Sequence, residues 1–310
     1  MHPWQDLSGI GAPVRVFLLS DLLHKDFPAH EVKLAVFLNA FMLSAELRQA
    51  IKSKLQQVGG KTLAWLYAPA LFAEDKCAGG DCQPDEATAS ELVGMRMTIN
   101  LTAASLSTRF EQTTGSYRGC PVLPTSLIGS SYAGVESAPH DLGLVSPRLT
   151  CGGGIGDDAP FAGEVMGRYN ANNEPSLCWA THSVEAAAAN FSSVFIGAPR
   201  PPVAFWRALA RSAGVHLYTA DEVSAEQPYT PVQGLHADAV EAAASGLLYH
   251  AGSGSALSGR SRRVTLPGPF GVTSEWGDVV CPQSSPCTTF ATPEMDDAES
   301  TLYWLSKPGV

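Results

Sequence analysis

The stretch from Val32 to Pro69 limits the fold more than any other part of the sequence. Val32 to Leu38 is an apolar run rich in Val, Leu and Phe, and Thr62-Leu63-Ala64-Trp65-Leu66-Tyr67 is a second, closed by Pro69. Between them Ser44 offers a side-chain oxygen as N-cap. Glu46 falls in the first turn, where the helix dipole favours a carboxylate. Leu47, Ile51, Leu55 and Val58 recur at helical spacing, and Arg48, Gln49, Lys52 and Gln56 fill the opposite face. Gly59-Gly60 then supplies a left-handed stop. Two strands joined through a helix make a crossover, which favours parallel pairing in a sheet covered on both faces.

The pattern returns later in the chain. Ser193-Val194-Phe195-Ile196-Gly197 is short and apolar, and Pro199-Arg200-Pro201-Pro202 opens a helix with Val203, Trp206, Leu209, Ala210 and Ala213 on its buried face. Gly214 ends that helix and Val215-His216-Leu217-Tyr218 is predicted as the next strand. Near the start, Pro13 to Leu19 is predicted as a buried strand. Residues 103–160 are crowded with Ser, Thr, Gly and Pro, which predicts short strands and long surface loops. After Gly246 the helical period disappears. Leu247–Ala251, Arg263–Pro267, Asp278–Val280 and Thr301–Leu305 are short β segments separated by Gly, Ser and Pro, the pattern of an antiparallel appendage.

A chain of 310 residues suits one large domain or two modest ones. Charged residues are only 16%, against a usual share of roughly 25%, so the surface is built largely from Ser, Thr, Gly, Ala and Pro. The formal charge of −10 argues against nucleic acid, which wants a basic patch. High apolar content with low charge excludes intrinsic disorder. No stretch reaches the ~18–20 apolar residues of a membrane span. Met1-His2-Pro3-Trp4-Gln5-Asp6 has neither the cationic start nor the apolar block of a secretory signal.

Seven cysteines are present. Cys77 and Cys82 flank Ala-Gly-Gly-Asp, and Cys281 and Cys287 flank Pro-Gln-Ser-Ser-Pro. Both intervals are turn chemistry, and short flexible loops bring Cα atoms within disulfide range. Local disulfides, free surface thiols and metal ligation remain open for these pairs. Zinc is the poorest fit, because it wants four ligands at matching spacing. Asn100-Leu101-Thr102 and Asn190-Phe191-Ser192 are N-glycosylation triplets. Together with the cysteine pairs they favour an extracellular or secretory compartment over the cytoplasm.

Several blocks follow in a recognisable order: Val36 to Phe41, Gly59-Gly60-Lys61-Thr62, Trp65 to Pro69, Val165 to Tyr169, Ala208 to Tyr218, His250-Ala251 and Val264 to Pro267. Their order and spacing resemble the region that follows the catalytic barrel in glycoside hydrolase family 42 and related β-galactosidase-like proteins. The resemblance spans most of the chain, with residues 70–90, 105–145 and 220–246 as insertions or divergence. It implies an α/β fold, a flavodoxin-like or class I glutamine-amidotransferase-like parallel sheet with helices on both faces, over residues 1–245. This is the trimerisation domain, here with a loop-rich insertion near 103–160. A small antiparallel β domain, sandwich-like, follows over 246–310. The family's catalytic carboxylates lie in the upstream barrel, so the resemblance implies a non-catalytic association or accessory domain. Its partners would be further copies of itself or a catalytic barrel, with carbohydrate nearby. Cys151 would end a strand in the long connection, and His250 falls where the resembling proteins also carry His-Ala.

The residues themselves offer little chemistry. An amidotransferase nucleophile wants G-x-C-x-G on a strand-to-helix elbow and a His-x-Glu pair. Cys151 has Leu149 where the first glycine should be, and neither His216 nor His236 is followed by the glutamate. Gly152 to Gly156 lacks the Lys-Ser/Thr of a phosphate loop. Asp157-Asp158 and Asp296-Asp297 are adjacent pairs, which in a strand point to opposite faces and cannot converge as a glycosidase pair does. No catalytic residue, metal ligand or cofactor site is therefore assigned. His250 and Trp276 are the ligand-contact candidates: His250 sits in an apolar run, and Trp276 lies between Glu275 and Gly277 in the β appendage. Trp65 and Trp206 are expected in the core. A stand-alone glycoside hydrolase using the 103–160 loops and a carbohydrate-binding module using exposed aromatics are the rival functions.

Overall fold

The computed structural model describes residues 7, 10–12, 14–38, 40–77, 82–100, 106–114, 117, 119–132, 148–152, 163–184, 189–218, 232–233, 245–251, 263–292 and 300–308. The chain divides into two compact units, Phe17–Ala213, and Met1–Val16 together with Gly214–Val310.

In the first unit the elements are β1 (Leu34–Phe37), β2 (Met42–Leu43), α1 (Ala45–Ile51), β3 (Thr62–Leu66), β4 (Phe72–Ala73), α2 (Glu86–Val93), β5 (Met97–Asn100), β6 (Thr108–Phe110), β7 (Ser131–Tyr132), β8 (Arg148–Cys151), β9 (Gly163–Tyr169), β10 (Pro175–Val184), β11 (Ala189–Ile196) and α3 (Val203–Ser212). Seven strands form one sheet in the order β1-β3-β11-β10-β9-β6-β7. Its first three strands are parallel, as the crossover pattern predicts. From β11 onward the pairing is antiparallel. The sheet is therefore mixed, with its parallel part confined to one side.

Register aligns Phe37, Trp65 and Phe195 across the parallel strands. Phe37 and Trp65 stack at 4.2 Å, and the indole nitrogen donates to Ser193 Oγ at 2.9 Å, so the one polar atom of a wholly buried ring is satisfied. Trp206 is buried on α3, as expected, beside Phe205. Ser44 caps α1 by accepting from the Leu47 amide, and Gly59 and Gly60 have positive φ where the left-handed stop was predicted. Between them the helix widens into a π turn over Lys52–Gln56. The wider turn rotates the chain less per residue, so Ile51 and Leu55 are buried but Val58 lags behind that face and is exposed.

Two expectations are corrected. Residues 14–18 form no strand, and Arg15 to Leu18 are exposed ahead of a 3-10 turn at Leu19–Leu23. β-propensity is realised only where a neighbouring strand and a buried face are supplied. Residues 215–218 form no strand either. The Tyr218 amide donates to Gly11 O at 2.7 Å, and its carbonyl accepts from Thr265, so the segment belongs to the second unit.

That unit contains β12 (Val232–Gln233), β13 (Ser245–Ala251), β14 (Arg263–Ser274), β15 (Val279–Cys281), β16 (Cys287–Ala291) and β17 (Ser300–Ser306). All are paired antiparallel, in the order β12-β13-β17-β14-β15 with β16 beside β14. Its core holds Val264, Leu266, Phe270, Val272, Phe290, Tyr303 and Leu305. Among the described residues no helix is long and apolar enough to cross a membrane.

Candidate functional site

Ligands of open α/β sheets commonly lie beyond the carboxyl ends of parallel strands. Here those ends are Phe37, Leu66 and Ile196. Just past β3, Tyr67 (φ 67°) and Ala70 (φ 49°) are non-glycine residues in the left-handed region, a conformation that persists only where the surroundings enforce it. The enforcing bonds are Tyr67 N to Ile196 O (2.7 Å) and Ala70 N to Ala40 O (2.6 Å). The Tyr67 ring meets Phe41 edge-on at 5.7 Å. Just past β11, a side chain on Gly197 would run into the Tyr169 hydroxyl. That hydroxyl donates to Leu149 O at 2.8 Å, and the Arg148 guanidinium lies 5.8 Å over the ring while pairing with Glu174 at 3.1 Å. Burial pushes the Tyr169 phenol well above its ordinary value, so it serves as a fixed proton donor rather than a base. These carboxyl ends are tightly packed backbone and phenol.

The cysteines are mostly committed. Cys77–Cys82, Cys281–Cys287 and Cys151–Cys178 are disulfides. The third ties β8 to β10, and a bonded Cys151 has no thiol to act as a nucleophile. Nothing local in the sequence marks that pair, which is 27 residues apart. Cys120 is free but buried, and burial first, then the Glu164 carboxylate, push its thiol far above the ordinary range. The thiolate needed for nucleophilic attack is thereby suppressed.

The polar clusters serve architecture. Lys76, Gln83, Pro84, Asp85, Glu86 and Ile99 line an open depression beside the start of α2. Asp85 caps α2 by accepting from the Thr88 amide (3.0 Å), Lys76 pairs with it, and Glu86 accepts from the Ile99 amide (2.6 Å). Burial pushes Asp85 up, but the hydrogen bonds from Lys76 and Thr88 outweigh it and hold the carboxyl at about 2. His182 stacks on Phe191 and faces Gly94, and burial lowers its pKa. Asp157-Asp158 and Asp296-Asp297 lie outside the described residues, as does His236. Among the described residues no group of three or more His, Cys, Asp or Glu could hold a metal.

His250 lies in β13, opposite Val232 and Thr301. Trp276 sits in the turn between β14 and β15, 80% exposed. The register adds Trp304, which the sequence also offers as an aromatic for sugar stacking, and two residues that it does not, Thr273 and Val279. Thr273 pairs with Trp304 on one side and Val279 on the other, so the three share a face. Trp304 is 59% exposed and Val279 63%. Asn100 is half-buried at the end of β5, and Asn190 is exposed near the start of β11.

No family model matches the chain, and no curated protein does. Solved structures do. The chain is similar to the β-galactosidase from Bacillus circulans sp. alkalophilus, with a TM-score of 0.57 at 9% identity, over 98% of this chain and 36% of that one. Gan42B, a GH42 β-galactosidase from G. stearothermophilus solved as a catalytic mutant, gives 0.55 at 13% identity over 98% and 35%. The β-galactosidase from Rahnella sp. R3 gives 0.54 at 10% identity over 97% and 36%. At such identities the likeness concerns fold alone. The chain spans 36% of the length of the B. circulans enzyme, and its fold is similar to that of about a third of a GH42 β-galactosidase chain.

Proposed function

We propose that this chain is a non-catalytic association domain of a glycoside-hydrolase-related, β-galactosidase-like protein whose catalytic barrel lies outside these residues. The observation that carries the reading is the coverage: nearly all of this chain (98%) finds a counterpart in about a third (36%) of the neighbouring enzyme. On this reading residues 1–245 are amidotransferase-like, residues 246–310 are the small β domain, and the three disulfides suit an extracellular protein. The committed cysteines, the capping carboxylates and the packed strand ends support a structural task over a chemical one. Exposed apolar side chains at Val16 (66%) and Leu18 (72%) offer a surface for a second copy or for a barrel. Light scattering of the purified chain at rising concentration tests the association. Growth beyond one chain is expected, and a particle that stays monomeric at the highest concentration refutes self-association. Turnover of aryl galactosides by the chain alone would favour the rival stand-alone hydrolase.

A second reading is favoured by the exposed Trp276, in a turn, and Trp304, on the central strand β17, whose rings are open to stack on sugars. Titration with oligosaccharides while following tryptophan fluorescence checks it. A saturable change that Trp276→Ala abolishes is expected, and an unchanged spectrum removes the reading.

A further inference from the structure

We propose that Asn190, and not Asn100, carries an N-linked glycan. The inference goes beyond the association reading and does not depend on it. Asn190-Phe191-Ser192 runs into β11 in extended conformation, which puts Asn190 and Ser192 on one face and Phe191 on the other. Phe191 is fixed by stacking on His182 at 4.7 Å. Burial along the strand then changes sharply. Asn190 is exposed, Phe191 and Ser192 are half-buried, and Ser193 to Ile196 are fully buried. The Asn190 side chain thus lies before the strand enters the covered part of the sheet, where a bulky polar substituent costs no packing. Asn100 is the last residue of β5, half-buried and paired in register with Arg148.

The second observation concerns compartment. Three disulfides need an oxidising environment to form and persist, and in eukaryotes that environment is where triplets of this kind are modified. The donor is a lipid-diphosphate-linked oligosaccharide. The amide nitrogen of Asn190 forms a bond to the anomeric carbon, and the bond from that carbon to the diphosphate oxygen breaks. The lipid diphosphate leaves with the bonding pair, and the amide gives up one proton. A glycan at this position would also keep the near end of β11 out of any protein interface.

The test is to secrete the full chain from a eukaryotic host behind a cleavable signal and to map its peptides by mass spectrometry before and after enzymatic release of N-glycans. Release converts a modified asparagine to aspartate and marks the position. The expected result is the mark at Asn190 alone, and loss of one glycan mass from the intact protein in Asn190→Gln and in Ser192→Ala, with Asn100→Gln unchanged. Ser192→Ala keeps the asparagine and removes the hydroxyl that the transfer needs, so agreement of the two variants separates loss of the site from misfolding. An unmodified Asn190 in disulfide-bonded secreted protein overturns the proposal. A mark at Asn100, alone or beside Asn190, overturns the selectivity argued from burial.

Discussion

Gly94 is held to glycine by two independent demands. It ends α2 with φ 78°, its amide donating to Ser90 O at 2.8 Å, and a Cβ there would come within 2.5 Å of His182 Nε2. Gly60 has a similar φ of 67° but open space around it. Gly60→Ala should therefore cost only backbone strain, about 1 kcal/mol, whereas Gly94→Ala adds the displacement of a packed ring and should cost about 2–4 kcal/mol. Urea midpoints of the two variants make the comparison. The same imidazole gives a pH signature. Burial lowers its folded-state pKa below the ordinary 6.5. The unfolded chain then takes the proton first, so stability falls as pH drops through about 6.5 and levels once the folded protein is protonated too. His182→Gln should flatten that part of the stability curve, measured by denaturation between neutral and mildly acidic pH.

Among the elements, α2 depends on its cap. The folded-state pKa of Asp85 is depressed from 3.8 to about 2, so its contribution is complete above the ordinary value and is lost as pH falls between the two. At neutral pH Asp85→Ala should cost about 1 kcal/mol, and Asp85→Asn less, because Asn still accepts from the Thr88 amide. The Cys151–Cys178 link closes a loop of 27 residues, and replacing both cysteines by alanine should cost about 3 kcal/mol. Thermal unfolding of the double variant checks this. Elements of this size differ in how well the sequence reveals them. The crossover from β1 to β3 was legible because Leu47, Ile51 and Leu55 repeat locally and Gly59 punctuates them. The short β segments after Gly246 were legible from their breakers. Strand β10 was not, because residues 176–180 are all buried and the apolar run Leu177–Ala180 has no period to read. The partner of Cys151, the left-handed Tyr67 and the face shared by Trp304 and Val279 arise from tertiary register, which no window of neighbouring residues contains.

At the scale of the molecule, the apolar run at 16–18 that the sequence assigns to a buried strand lies exposed. If that surface is where copies meet, Leu18→Asp should lower the association seen by light scattering while leaving the melting temperature of the dilute protein within a few degrees, since the side chain touches little of its own fold. The division of the chain has another consequence, for the order of its synthesis. The bond from Tyr218 to Gly11 closes a unit whose first sixteen residues precede Phe17–Ala213 and whose remainder follows it. A chain emerging from the ribosome completes the inserted unit first. Gly11 must wait through nearly two hundred codons before its partner Tyr218 exists.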